Sequence, residues 1–247
     1  MDKLNKIYVE PTSRCNLSCV TCIRHSWDEP FGDMDWSVYE ALIEGLRDFP
    51  EVKTIAFAGF GEPLVHPRFP DMIRLAHEQG LRTEMTSNAM LLTSELAESL
   101  IDAGLDQFTV SIDGTSEEAH GTVRPGASLE RITENVRKLY WWSKKKRATQ
   151  LGVPCAPDLA CCGPSLSEFE RLLLAPMTGI PDIESPAPLK IGIEFVAMKS
   201  NIHELPAIQK IADQIRASYI IVSNMLPYTV EMQDEILYNM GPTSYEG

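Results

Sequence analysis

The sequence predicts an α/β protein, a partial TIM barrel of the (β/α)6 type. Short β-rich apolar runs alternate with helical patterns along the 247 residues, and the apolar fraction of 44% is sufficient for a packed core. Strand–helix alternation implies parallel strands joined by right-handed crossovers. Six such units would make three-quarters of a complete eight-stranded barrel.

Each element follows from local patterns. Strands are predicted at Lys6–Thr12, Lys53–Ala58, Leu81–Ser87, Gln107–Asp113, Lys190–Val196 and Tyr219–Ser223. Between them, apolar residues recur with helical spacing at Trp36–Arg47, Phe69–Gln79, Thr93–Ala103, Leu129–Trp142 and His203–Ala217. Thr93 is a good N-cap for its helix, and Gly80 and Gly104 each end a helix just before the next strand.

The predicted strands have one apolar face and one polar face. In Gln107–Asp113, for example, Phe108 and Val110 alternate with Thr109 and Ser111. A filled barrel interior would carry Val, Ile and Leu instead. We therefore expect the polar faces to line a cavity; the alternative is an open sheet with a solvated face, which is unusual for parallel strands.

One segment breaks the repeat. Residues 148–189 are rich in proline and contain Cys155, Cys161 and Cys162, with one possible helix at Ser167–Leu174. Such a connection is long for a compact domain, which predicts a lid, an insertion or a poorly ordered loop. A second cluster on these cysteines is an alternative, but their spacing gives it no convincing geometry.

Charge and hydropathy argue against several functions. The net charge of −13 argues against nucleic acid or an anionic lipid surface as the main partner. No apolar run approaches the ~20 residues of a membrane span, and the N-terminus lacks the apolar core of a signal peptide. We expect a cytoplasmic protein, in which clustered cysteines are metal ligands rather than disulfides.

Three cysteines follow the first predicted strand at C-x3-C-x2-C spacing: Cys15, Cys19 and Cys22. Three thiolates can hold three irons of a [4Fe–4S] cluster and leave the fourth iron open for another ligand. Catalytic zinc sites likewise keep one coordination position open, whereas structural zinc sites have all four positions filled by the protein. The alternative is a zinc site of three cysteines and His25, which would make the protein a zinc-stabilised, non-catalytic binding module.

A glycine-rich loop follows the second predicted strand and contains Gly59, Gly61, Glu62 and Pro63. Glycines let the backbone approach a ligand closely, and a carboxylate can accept a charge-assisted hydrogen bond from an ammonium group. Together with the cysteine loop, this segment resembles the radical S-adenosylmethionine (SAM) superfamily, whose corresponding loop binds the amino group of SAM. Phe60 stands where the family usually has a small residue.

Further strand ends match the same family. Thr86 and Asn88 resemble its third-strand segment, and Ser111 and Asp113 resemble the fourth-strand end that faces the cofactor. Arg124 resembles the family arginine near the SAM carboxylate, which a guanidinium suits. Asn201 and Ser223, after the fifth strand and in the sixth, are additional candidates for the cofactor site. Thr21 departs from the family, which often has an aromatic residue there near the adenine.

The resemblance implies a [4Fe–4S] cluster on the three cysteines, SAM as cofactor, and an electron donor such as ferredoxin or flavodoxin. It is closest to enzymes that carry a C-terminal auxiliary-cluster (SPASM-type) domain, and within them to the tungsten cofactor oxidoreductase maturases. No cysteine array follows the sixth predicted strand, so we expect one core domain over residues 1–247 without the auxiliary domain, either as a core-only enzyme or as a truncated chain.

We expect the protein to act in maturation of a cofactor, an enzyme or a peptide. Peptide modification is the second possibility, and a degenerate, non-catalytic scaffold is a third. The sequence does not identify the substrate.

Overall fold

The computed structural model describes residues 4–150 and 189–237. Six parallel strands form one sheet in chain order: β1 (Lys6–Val9), β2 (Thr54–Phe57), β3 (Arg82–Ser87), β4 (Gln107–Ser111), β5 (Lys190–Ala197) and β6 (Tyr219–Asn224). The helices are α1 (Trp36–Gly45), α2 (Phe69–Glu78), α3 (Ser94–Ala103), α4 (Glu117–Val123), α5 (Leu129–Gln150) and α6 (Ile208–Ile215). This order confirms the predicted fold class.

The sheet curls into an open half-barrel. Side chains from β1 and from β6, at opposite ends of the strand order, line the same cavity. The outer faces of the strands are apolar and packed under the helices; Phe108, Val110 and Ile112 are fully buried in one continuous core. The inner faces carry Glu84, Thr109 and other polar residues, as the alternation predicts.

A polar layer fills the N-terminal end of the half-barrel. Lys6 and Glu84 form an ion pair of 2.7 Å, and Arg82 joins Glu84 at 3.4 Å and Gln107 at 2.7 Å. These residues lie at or near the start of their strands. The open end of the cavity is therefore the C-terminal edge of the sheet, where the loops that carry chemistry in such barrels are found.

Several element boundaries differ from prediction. The first strand ends at Val9 rather than Thr12, because Pro11 has no N–H for the ladder and Thr12 instead bridges Asp33. The helix expected at His203–Ala217 is an α-helix only from Ile208; Pro206 falls within a 3₁₀ turn that precedes it. Helix α3 has its predicted cap, since the Thr93 hydroxyl accepts from the Leu96 N–H.

Helix α4 was not predicted. It is short, it contains Gly121, and its start is marked by Ser116, whose hydroxyl accepts from the Ala119 N–H. Helix α5 runs to Gln150, eight residues beyond its predicted end. Most of the predicted insertion, with the helix Ser167–Leu174 and with Cys155, Cys161 and Cys162, lies outside the described residues.

Among the described residues, no helix combines the length and the hydropathy needed to cross a bilayer.

Candidate cofactor site

The cysteine loop forms one side of a cavity of about 630 Å³ at the C-terminal edge of the sheet. Cys15, Cys19 and Cys22 are half-buried, are not joined in disulfides, and all face this cavity. Within residues 4–150 and 189–237, no three His, Cys, Asp or Glu side chains converge on the position of a single metal ion. The three thiols thus line one cavity wall, but they are not arranged to coordinate a single metal ion.

Three N–H groups approach the sulfur atoms. The Leu17 N–H lies 3.4 Å from Cys15 Sγ, Asn88 Nδ2 lies 3.8 Å from the same atom, and Arg124 Nη1 lies 3.7 Å from Cys19 Sγ. Burial raises the pKa of the Cys15 and Cys19 thiols. The Leu17 N–H opposes the rise at Cys15, and the Arg124 charge opposes it at Cys19. Thiolates are the ligands of Fe–S clusters, and N–H groups at their sulfurs are the usual second layer. The residues present therefore fit a three-cysteine [4Fe–4S] site.

His25 is placed on the backbone of the same loop. Its Nε2 lies 2.9 Å from the carbonyl oxygen of Cys19, and the side chain is exposed. To act as a zinc ligand through this nitrogen, His25 would have to give up that contact.

Glu62 is an almost fully buried acidic group of the cavity wall. It is 2% exposed, and its Oε1 accepts from Ser87 Oγ at 2.7 Å and from the Leu64 N–H at 3.1 Å. Its Oε2 accepts from the Asn88 N–H at 2.8 Å. Burial raises the pKa of Glu62, and these three donors oppose the rise. A carboxylate has about four acceptor positions, so one on Oε2 is left for a donor in the cavity.

The glycine-rich loop packs directly on the cysteine loop. A side chain at Gly61 would place its Cβ 1.7 Å from the carbonyl oxygen of Thr12, and the Glu62 N–H donates to the Arg14 carbonyl at 2.8 Å. The sequence predicted that these glycines let the backbone approach a ligand. At Gly61 the backbone instead lies close to the cysteine loop. Gly59 has φ of +144°, a conformation that favours glycine.

Glu10 holds the other side of this loop, a role the sequence did not indicate. Its Oε1 accepts from the Phe60 N–H at 2.5 Å and from the Gly61 N–H at 3.1 Å. Two backbone donors that could have faced a ligand are therefore already satisfied.

Arg124 and Asp113 form a buried ion pair behind the cysteine loop. Arg124 Nε lies 2.7 Å from Asp113 Oδ2, and Asp113 Oδ1 accepts from the Val196 N–H at 2.7 Å. His120 stands beside them, with Nδ1 accepting from the Asp113 N–H at 3.2 Å. Burial, reinforced by the Arg124 charge, lowers the pKa of His120 to about 4, so its ring is neutral at pH 7.

Most of the predicted cofactor-binding residues come together on the cavity wall: Gly59, Gly61, Glu62, Thr86, Asn88, Ser111, Arg124 and Ser223. Three do not. Pro63 is buried in a 3₁₀ turn, and Asp113 lies behind Arg124. The Asn201 amide is used by backbone groups: Oδ1 accepts from the Met198 N–H at 2.7 Å, and Nδ2 donates to the carbonyls of Asp113 and Val196.

Other wall residues were not named from the sequence as site candidates. Glu84, Gln107 and Glu194 point inward because they occupy the polar face of their strands. The same alternation that predicted the cavity would have identified them. Tyr228 lies beyond β6 in a segment without such a pattern, and nothing local indicates its position on the wall.

Comparison with known proteins places this geometry in context. A family model described as the radical SAM superfamily matches residues 9–140, just over half of the chain. The chain is 31% identical over 234 residues to the tungsten-containing aldehyde ferredoxin oxidoreductase cofactor-modifying protein of Pyrococcus furiosus, covering 94% of this chain and 55% of the relative. It is 36% identical over 133 residues to the AdoMet-dependent heme synthase of Methanosarcina barkeri, covering 53% of this chain and 37% of that protein.

The fold is also shared with solved structures. Streptococcus suis SuiB, in a crystal structure bound to S-adenosylmethionine, superposes with a TM-score of 0.61 at 13% identity, covering 91% of this chain and 40% of SuiB. At this identity the likeness concerns the fold alone. The matched part of this chain covers 55% of the length of the Pyrococcus relative.

Proposed function

Because the chain belongs to the radical SAM superfamily, whose cofactors are a [4Fe–4S] cluster and SAM, we propose that it cleaves SAM reductively at a cluster held by Cys15, Cys19 and Cys22. One observation carries this proposal. The three unpaired thiols, two of them with N–H groups at sulfur, share a cavity with the polar residues proposed to hold SAM.

When bound, the cluster and SAM would supply one-electron chemistry, the reductive cleavage of SAM that initiates hydrogen abstraction from a substrate. The protein binds and orients the reactants. We assign the remaining acceptor position on Glu62 Oε2 to the ammonium group of SAM, because a charge-assisted bond would offset the burial of this carboxylate.

Arg124 is the candidate for the SAM carboxylate. Its Nε is held by Asp113 and its Nη1 approaches Cys19 Sγ, while the side chain contributes to the cavity wall. A guanidinium has five N–H donors, so the second N–H of Nη1 and both of Nη2 are left for the carboxylate. The hydroxyls of Thr86, Ser111 and Ser223 are the donors on the wall that we assign to the ribose.

We infer that the protein acts in the maturation of a cofactor or an enzyme, and that its substrate is the molecule being matured. The support is the similarity to the cofactor-modifying protein of Pyrococcus furiosus, which extends over 94% of this chain. A ferredoxin or flavodoxin as electron donor, a protein or peptide as the target, and a cytoplasmic location complete this proposal. The net charge of −13 argues against nucleic acid or an anionic membrane surface as the main partner.

The test is SAM cleavage by the anaerobically reconstituted protein with dithionite, measured as 5′-deoxyadenosine and methionine formed together. Replacing Cys15, Cys19 or Cys22 with serine should abolish product and cluster iron. Ser18→Ala, an exposed position inside the same loop, is the matched control and should retain both. A cysteine variant with full activity would refute the ligand assignment, and a wild-type protein that binds zinc in place of the cluster would refute the function.

A further inference from the structure

Among the residues that the structure describes, each charged side chain of the cavity wall except one has an ion-pair or hydrogen-bond partner. Lys6 and Glu84 pair with one another, and Arg124 pairs with Asp113. Glu62 has its three donors, and Arg24 donates to the Leu17 carbonyl and stacks on a phenylalanine ring.

Glu194 is the exception. Within residues 4–150 and 189–237, its carboxylate accepts no hydrogen bond and has no basic group within 4.0 Å.

Glu194 occupies a defined level of the half-barrel. It lies on β5, in register with Ser111 on β4 and Ile221 on β6, and its side chain contributes to the cavity wall. One inward position earlier on β5 is Gly192, where a Cβ would meet the Tyr219 ring at 2.0 Å. The Tyr219 hydroxyl is hydrogen-bonded to Thr109 at 2.7 Å.

This packing limits the space directly beside Glu194. The Tyr219 ring occupies the space over Gly192, the next inward position toward the strand starts, while the Glu194 side chain itself lines the open cavity. A group entering from the C-terminal edge would meet Glu194 before it met the polar layer at the strand starts.

The electrostatic setting is that of a carboxylate lacking a counter-ion. Burial raises the pKa of Glu194, and Arg124 opposes that rise from a distance. Arg124 is not a close partner, because its nitrogens lie more than 4.0 Å from the Glu194 carboxylate and its Nε is held by Asp113. Carboxylates that are partly removed from water are normally paired, since desolvation without a partner costs free energy.

We propose that Glu194 binds a cationic nitrogen of the substrate, as an ammonium, amidinium or guanidinium group, and thereby selects basic substrates. The inference rests on the proposed function, because it takes the volume above Glu194 as the place where substrate meets SAM. A charge-assisted hydrogen bond to a partly buried carboxylate is the interaction that distinguishes a cation from a neutral molecule of the same shape.

The experiment compares two probes of equal shape, n-butylguanidinium and n-butylurea, titrated calorimetrically into the reconstituted, SAM-bound protein. The cation should bind about tenfold more tightly than the urea, as expected for one charge-assisted hydrogen bond. Glu194→Gln should reduce the difference to about twofold or less, and Glu194→Asp should keep part of it. Glu40→Gln, which removes an exposed carboxylate on α1, should keep all of it.

The possible failures are distinguishable. Equal affinity of the two probes for the wild-type protein, or a preference that survives Glu194→Gln, would overturn the inference. A loss of SAM affinity in Glu194→Gln would also overturn it, because Glu194 would then belong to the cofactor site. Absence of SAM cleavage by the wild-type protein would instead defeat the proposed function, and it is measured without either probe.

Discussion

At the scale of single residues, the site depends on groups that serve two neighbours at once. Arg124 links the buried carboxylate of Asp113 to the sulfur of Cys19, and Asn88 links Glu62, through its backbone, to Cys15, through its side chain. Cluster potentials respond to hydrogen bonds at sulfur and to nearby charge. Such residues therefore couple the SAM side of the cavity to the cluster.

Arg124→Lys should lower the reduction potential of the cluster. Lysine keeps the charge, but a point ammonium cannot hold Asp113 and approach Cys19 with the geometry of a guanidinium. Losing one hydrogen bond to sulfur is worth about 1 kcal/mol, or on the order of 40 mV for one electron. An EPR-monitored redox titration measures the shift. Arg131→Lys, at an exposed position on α5, should leave the potential unchanged, and an unchanged potential in Arg124→Lys would contradict the assigned contact.

His120 makes stability depend on pH. Its pKa is about 4 in the folded protein and near 6.5 when unfolded, so the unfolded chain binds the proton more tightly. The stabilising contribution is complete above pH 6.5 and is lost as the pH falls toward 4. By linkage, protonation of His120 should lower the free energy of unfolding by about 2 kcal/mol when the pH falls from 7.5 to 5.

The measurement is urea unfolding at both pH values for wild type and His120→Asn, whose side-chain oxygen can replace Nδ1 as acceptor for the Asp113 N–H. The variant should lose less stability on acidification than wild type. His203→Asn, at an exposed position, should behave as wild type does. An equal loss in wild type and His120→Asn would show that the ring is not the group responsible.

At the scale of elements, the strands were predictable and several connections were not. Alternation in Gln107–Ser111 fixes which side chains face the helices, and the same reasoning predicted the cavity. Motif spacing and the family resemblance selected the three cysteines and Glu62 as candidates, and the structure places all four on the wall of one cavity. Glu10 could not be found this way, because its partners lie fifty residues away and no local pattern records that pairing. Helix α4 was missed because a seven-residue helix has too few turns to show periodicity.

The joint between the cysteine loop and the glycine-rich loop yields a prediction for an element contact. Gly61→Ala would force its Cβ against the Thr12 carbonyl and push the two loops apart, so the protein should lose most of its bound iron while its helical circular dichroism remains. Iron analysis after reconstitution measures the effect. Gly32→Ala is the control, since its Cβ would meet nothing within 4 Å. Full iron content in Gly61→Ala would show that the loop contact does not position the cysteines.

At the scale of the whole molecule, the half-barrel separates two tasks. Residues at the C-terminal edge, from the cysteine loop to Arg124, form the side proposed for the cluster and SAM. Lys6, Glu84 and Gln107 close the opposite end with a paired polar layer. Between them lies the volume faced by Glu194, where we place the substrate. The order of the strands along the chain already implied this separation. The ion pairs that leave Glu194 without a counter-ion join distant elements, and no local sequence pattern encodes them.

The central claim is that three cysteines hold a cluster with an iron open to SAM. The most direct test is the EPR spectrum of the anaerobically reconstituted, dithionite-reduced protein with and without SAM. We predict the signal of a reduced [4Fe–4S] cluster that changes when SAM is added, and that is lost in Cys19→Ser. A cluster signal that SAM leaves unchanged, or a colourless protein containing one zinc per chain, would contradict the account.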